Sequence, residues 1–116
     1  MGGFWALSPT ANHRPACYNR GMATLPPEIS SDIGQLLHDL ANLGFAPTGF
    51  RYSPEHFGNY FIDLRGTHEM RIVRDRSQYT VDILGIDLEA AGLRHAFNDP
   101  NVFSEKLLSW VKSIAQ

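Results

Sequence analysis

The chain has 116 residues, 43% hydrophobic and 19% charged, which is enough for one domain with its own core and too few for two of ordinary size. A net charge of −2 speaks against the basic face that general nucleic-acid binding requires, and the single cysteine, Cys17, excludes an internal disulfide. No run reaches the roughly 18 apolar residues of a membrane span, so no membrane contact is expected and a reducing, cytoplasmic setting is the default.

Residues 1–24 carry neither a helical nor a strand period and read as a loose N-terminal arm. Gly2, Gly3, Pro9, Pro15 and Gly21 punctuate it, and Phe4, Trp5 and Leu7 form a small apolar cluster. Met22 stands where patterned sequence begins, which raises the expectation that residues 1–21 are an extension. His13 and Cys17 are four apart, the spacing of a helical metal pair, but Pro15 between them argues against a helix. The arm's charges are Arg14 and Arg20. Residues 28–116 hold eight basic and 12 acidic side chains, so the single domain expected over 25–116 stands at −4.

A helix is predicted over 27–43. Pro27 suits a first-turn position, where its missing N–H costs nothing, and Glu28 and Asp32 complement the positive end of the helix dipole. Ile29, Ile33, Leu36, Leu37, Leu40 and Leu43 recur at three and four, the spacing of a core-facing stripe. Gly44 supplies a left-handed residue past the end, and Phe45 can pack back on the last turn.

Residues 45–52 read as a weak strand, weakened by Pro47 and Gly49 and so placed at an edge. Ser53 to Gly58 reads as one helical turn with Pro54 at its start. Residues 58–84 then show three runs of period two. Tyr60, Ile62 and Leu64 form one apolar set, Met70 and Ile72 a second, and Tyr79, Val81 and Ile83 a third. Such alternation describes a half-buried antiparallel meander, with 75–78 as a tight hairpin.

Asp87 is a candidate cap for a short helix over 88–97, although its stripe is ragged and Gly92 weakens it. Asp99 and Pro100 open a last helix over 101–115, where Phe103, Leu107, Trp110, Val111 and Ile114 keep a clean helical period. The fold class that follows is α+β: an antiparallel three- to four-stranded meander, with an N-terminal helix and two C-terminal helices packed on one face.

One face of that sheet stays open. Its occupants are the alternates Phe61, Asp63, Arg65, Arg71, Val73, Asp75, Thr80 and Asp82, a mixed charged and apolar patch that makes a candidate partner-binding surface. Arg74 shares the parity of Met70 and Ile72 and points to the core margin, where a guanidinium needs a carboxylate. Asp63, Asp75 and Asp82 are the candidates for it. Arg74 and Arg76 are therefore read as a structural ion pair at the hairpin.

Motifs for catalysis, metal or cofactor are wanting. His68-Glu69-Met70-Arg71-Ile72 opens like a zincin helix but lacks the second histidine and falls in a predicted strand. No Cys pair, phosphate loop or dinucleotide fingerprint occurs. No catalytic residue, metal or cofactor is assigned. An enzymatic alternative remains: His56 or His68 meeting Asp63 or Asp82 as an acid–base pair for hydrolysis or transfer.

Phe57-Gly58-Asn59, followed by the strand and by Arg71-Ile72-Val73-Arg74-Asp75-Arg76-Ser77-Gln78-Tyr79-Thr80-Val81-Asp82, resembles the core "FGN … RxVRDRGQ-x-x-VD" of small single-domain bacterial proteins. Several of these look like immunity proteins of polymorphic or contact-dependent toxin systems. Ser77 stands where that core has Gly, and the 1–24 arm has no counterpart. The resemblance implies a protein-binding module, an inhibitor that masks a cognate toxin, with a basic toxin domain suited to the −4 balance. The remaining alternative is a homo-oligomeric regulatory module joined through its edge strand or the Phe4-Trp5 arm.

Overall fold

The computed structural model describes residues 18–20, as backbone, and 25–114. Helix α1 (Pro27–Asn42) leads into strands β2 (Ala46–Ser53), β3 (Asn59–Arg65), β4 (Glu69–Asp75) and β5 (Gln78–Ile83), and helix α2 (Pro100–Ile114) closes the chain. Ahead of α1, Tyr18–Arg20 forms the short strand β1. All neighbouring strands are antiparallel, in the spatial order β1-β2-β3-β4-β5. The architecture is α+β.

Two elements differ from expectation. The arm expected over 1–24 lies outside the described residues except for Tyr18–Arg20, which pairs with Gly49–Arg51 and takes the edge position predicted for β2. Three residues are too few to show a period, so pairing with a neighbour alone reveals this strand. The helix predicted over 88–97 is a single turn. Asp87 does cap it, its Oδ1 accepting from the backbone N–H of Glu89 and Ala90. Gly92 then turns left-handed at φ +77°, which ends the helix, and Leu93 drops into the core at 1% exposure. Phe97 next pairs backbone-to-backbone with Tyr79, at 2.7 and 2.8 Å, and covers part of the β5 edge. Closing that edge competes with helix propensity here and wins.

The signals at the ends of the two long helices stand where they were expected, whereas the helical turn expected over Ser53 to Gly58 is a turn that begins at the end of β2. Pro27 begins α1, Gly44 is left-handed at φ +97°, and the Phe45 N–H reaches back to the Leu40 carbonyl at 2.8 Å. Asp99 Oδ1 accepts from the Asn101 N–H at 2.8 Å, capping α2. Helix α1 bends at Ile33, whose dihedrals leave the helical region beside Ser30, Ser31 and Gly34.

The register places like with like. Phe50, Ile62, Ile72 and Val81 form one row across the sheet, and Leu64, Met70 and Ile83 another. Both helices contact the sheet and each other, so these rows lie beneath Ile29, Ile33, Leu36, Leu40, Phe103, Leu107 and Val111. Full burial of each such side chain contributes about 1.5–3 kcal/mol before entropy is subtracted. The alternate residues point to the opposite face of the sheet, away from both helices.

Two turns carry the β2–β3 and β4–β5 connections, and both are strained. Phe57 adopts φ +62° ahead of Gly58 at +69°, and Arg76 and Ser77 adopt +54° and +68°. Left-handed backbone costs an L-residue about 1–2 kcal/mol. The paired positive angles at Arg76 and Ser77 are those of a two-residue hairpin loop whose twist matches the strands.

Candidate functional site

The open face is built by parity. On β3 the outward side chains are Phe61, Asp63 and Arg65; on β4, Arg71, Val73 and Asp75; on β5, Thr80 and Asp82. The register aligns Arg51, Phe61, Val73 and Thr80 in one row and Gly49, Asp63, Arg71 and Asp82 in the next. All eight residues expected on this surface therefore share one face.

At its centre Arg71 and Asp63 form a two-pronged pair. Arg71 Nε donates to Asp63 Oδ1 at 2.6 Å and Nη2 donates to Oδ2 at 3.0 Å. The guanidinium carbon lies 3.9 Å from the centre of the Phe61 ring. The carboxylate fixes the plane of the guanidinium, and the ring supports its face. Arg65 and Glu69 pair more loosely at 3.6 Å, both well exposed. Shallow depressions flank this centre. One, of about 370 Å³, is bordered by Thr48, Asp63, Arg65, Glu69, Arg71 and Asp82. The other, of about 310 Å³, is bordered by Arg51, Ser53, Asn59, Phe61, Val73 and Asp75.

Arg74 points the other way, and its partner is a correction. The expected carboxylates Asp63, Asp75 and Asp82 all sit on the open face, whereas Arg74 meets Asp32 of α1, Nε to Oδ2, at 3.6 Å. The same carboxylate accepts from Tyr60 Oη at 2.7 Å and from Tyr79 Oη at 2.8 and 2.7 Å. Burial, then the bond to Asp32, pushes both phenols above their ordinary value. Arg74 Nη1 also donates to the carbonyls of Phe57 and Gly58, at 3.2 and 3.0 Å, and so holds the strained β2–β3 turn.

Arg76 contributes differently from the ion pair read for it. Its guanidinium carbon lies 5.4 Å from the Phe57 ring centre, and its backbone N–H donates to Asn59 Oδ1 at 2.9 Å. The two halves of the sequence core thus meet in space. Phe57, Gly58 and Asn59 are tied to Arg74 and Arg76, and together they join two adjacent turns.

Asp32 is the residue that sequence reasoning missed. It was assigned to the helix dipole, yet it lies three residues after Ile29, on the flank of the buried stripe, where a carboxylate calls for donors from the sheet.

The histidines do not gather. His56 precedes β3 and His68 follows it, so the strand separates them by roughly 20 Å. His56 Nδ1 is 3.9 Å from Glu55; His68 shares a hydrogen bond with Thr67 at 2.9 Å and meets the Trp110 ring edge-on at 5.7 Å. Neither borders the depression that contains Asp63 and Asp82. Among the described residues, no group of three His, Cys, Asp or Glu side chains is placed to hold a metal ion, and no helix is long and apolar enough to cross a membrane.

Comparison of the chain with family models, curated proteins and solved structures returns no match.

Proposed function

We propose that this protein is a protein-binding module whose open sheet face docks a macromolecular partner, and that the partner is a toxin domain which it inhibits in the manner of an immunity protein. The observation that carries the reading is the Phe61–Arg71–Asp63 group at the middle of the sheet face opposite the two helices. Arginine and aromatic side chains dominate the energetic centres of protein interfaces, and a pre-oriented guanidinium loses little freedom on docking. Val73 and the shallow depressions on either side supply the relief that a partner's side chains fill. The −4 balance over residues 28–116 suits a basic partner and a steered, fast encounter. The resemblance of the 57–82 core to immunity-like proteins supplies the toxin in this proposal, and a cytoplasmic location goes with it. Nucleic acid and membrane are not part of it.

The test is co-expression of the full chain with the product of the adjacent gene, followed by size-exclusion chromatography and calorimetry. A stoichiometric complex is expected, with Phe61→Ala and Arg71→Ala each weakening it about tenfold or more while the melting temperature falls by only a few degrees. If the neighbouring product fails to bind, or if both substitutions leave affinity intact, the reading is wrong.

A further inference from the structure

We infer that the groove between the start of α1 and the β2–β3 turn is a second binding site, which takes a basic side chain of a partner protein between the Phe57 ring and the Glu28 carboxylate. The groove measures about 590 Å³ and does not depend on the open face. Its walls are the rings of Phe57, Tyr52 and Tyr60 and the side chains of Pro27, Glu28 and Asp32.

Phe57 is the first sign. It is held at φ +62°, a conformation that bulky L-residues avoid, and the residue is 70% exposed. Neither local preference nor core packing asks for phenylalanine there, since asparagine or glycine would adopt the turn with less strain. Local strain kept together with an exposed aromatic ring marks a residue retained for what it presents. Arg76, 5.4 Å from the ring centre, shows the kind of group that ring accepts; Arg76 itself is not part of the groove wall.

Charge decides the occupant. Arg74 and Asp32 border the groove but answer each other at 3.6 Å, and the Arg74 Nη1 is taken by two carbonyls. Glu28 remains. It is exposed in the first turn of α1 and makes no hydrogen bond or ion pair among the described residues. Its field reaches the groove, where, after burial, it is the next cause of the raised Tyr52 phenol. One uncompensated carboxylate beside aromatic walls is the arrangement that attracts an ammonium or guanidinium group. A neutral apolar side chain would fill the walls but leave Glu28 unanswered.

The probe is Nα-acetyl-L-arginine amide, titrated into the full chain and followed by amide NMR shifts, with Nα-acetyl-L-norleucine amide as the uncharged control. Saturable shifts at Glu28, Tyr52, Phe57 and Gly58 are expected for the arginine compound alone. Glu28→Gln and Phe57→Asn should each weaken them about threefold or more. Phe57→Asn should also melt at or above the parent temperature, because asparagine tolerates the left-handed turn, so its loss of binding cannot come from unfolding. An equal response to the norleucine compound, undiminished binding in both variants, or no saturable shift at these four amides would each overturn the inference.

Discussion

Tyr79 Oη stands 2.8 and 2.7 Å from the two carboxylate oxygens of Asp32, although 47 residues separate them in the chain. With Tyr60 donating to the same carboxylate and Arg74 beside it, one side chain of α1 answers three strands of the sheet. Asp32→Ala would leave two hydroxyls without their acceptor and the Arg74 guanidinium without its counter-charge. It should cost about 2–4 kcal/mol in urea-induced unfolding, and Asp32→Asn, which keeps one acceptor oxygen, should cost less. A loss below about 0.5 kcal/mol for the alanine variant would mean that apolar contacts alone hold α1 in place.

The same cluster predicts an alkaline limit. Burial and the Asp32 bonds raise the Tyr60 and Tyr79 phenols above the usual value near 10. A raised phenol favours the protonated form in the folded state. Its contribution is therefore complete below pH ~10 and is lost as pH climbs through and beyond that value. Each tyrosine that stays protonated while its unfolded counterpart ionises should remove about 1.4 kcal/mol per pH unit above ~10. Denaturant melts between pH 9 and 12 (roughly the range over which free tyrosine ionises) would show the slope, and Tyr60→Phe should make it shallower by one proton. An unchanged slope in that variant would contradict the assignment.

Ser77 occupies a left-handed position, φ +68°, with one long hydrogen bond of 3.4 Å from Arg74 Nη2. Ser77→Gly should remove the steric penalty and lose little else. A gain of about 0.5–1 kcal/mol, read as a raised urea midpoint, is expected. A destabilised variant would show that the serine hydroxyl matters more than the backbone angle.

On the open face, Arg71 and Asp63 are 49% and 23% exposed, so water screens their attraction. A double-mutant cycle with Arg71→Ala and Asp63→Ala should give a coupling near 0.5–1 kcal/mol, towards the upper end because the geometry is two-pronged. A coupling above about 2 kcal/mol would make the pair a determinant of folding and weaken its reading as a presented surface.

Alternation along β3, β4 and β5 determines from sequence alone which residues lie inside and which face out, because a strand has a strict period of two. That parity collects Phe61, Asp63, Arg65, Arg71, Val73, Asp75 and Asp82 on one face, which is why Asp63, Asp75 and Asp82, the carboxylates expected to answer Arg74, do not reach it, and Asp32 does. The ends of α1 and α2 were equally legible, since Pro27, Gly44 and Asp99 act through bonds to their near neighbours. Tertiary contact decided the rest. The choice of Asp32 for Tyr60, Tyr79 and Arg74 depends on how α1 lies across the sheet, and no local pattern encodes that crossing. The Tyr79–Phe97 pairing that replaces a helix, and the β1 strand beside β2, form only when a distant edge offers unpaired backbone groups. Phe57, read from sequence as part of an ordinary helical turn, becomes an exposed and strained ring only through the neighbouring hairpin, whose Arg74 and Arg76 hold it.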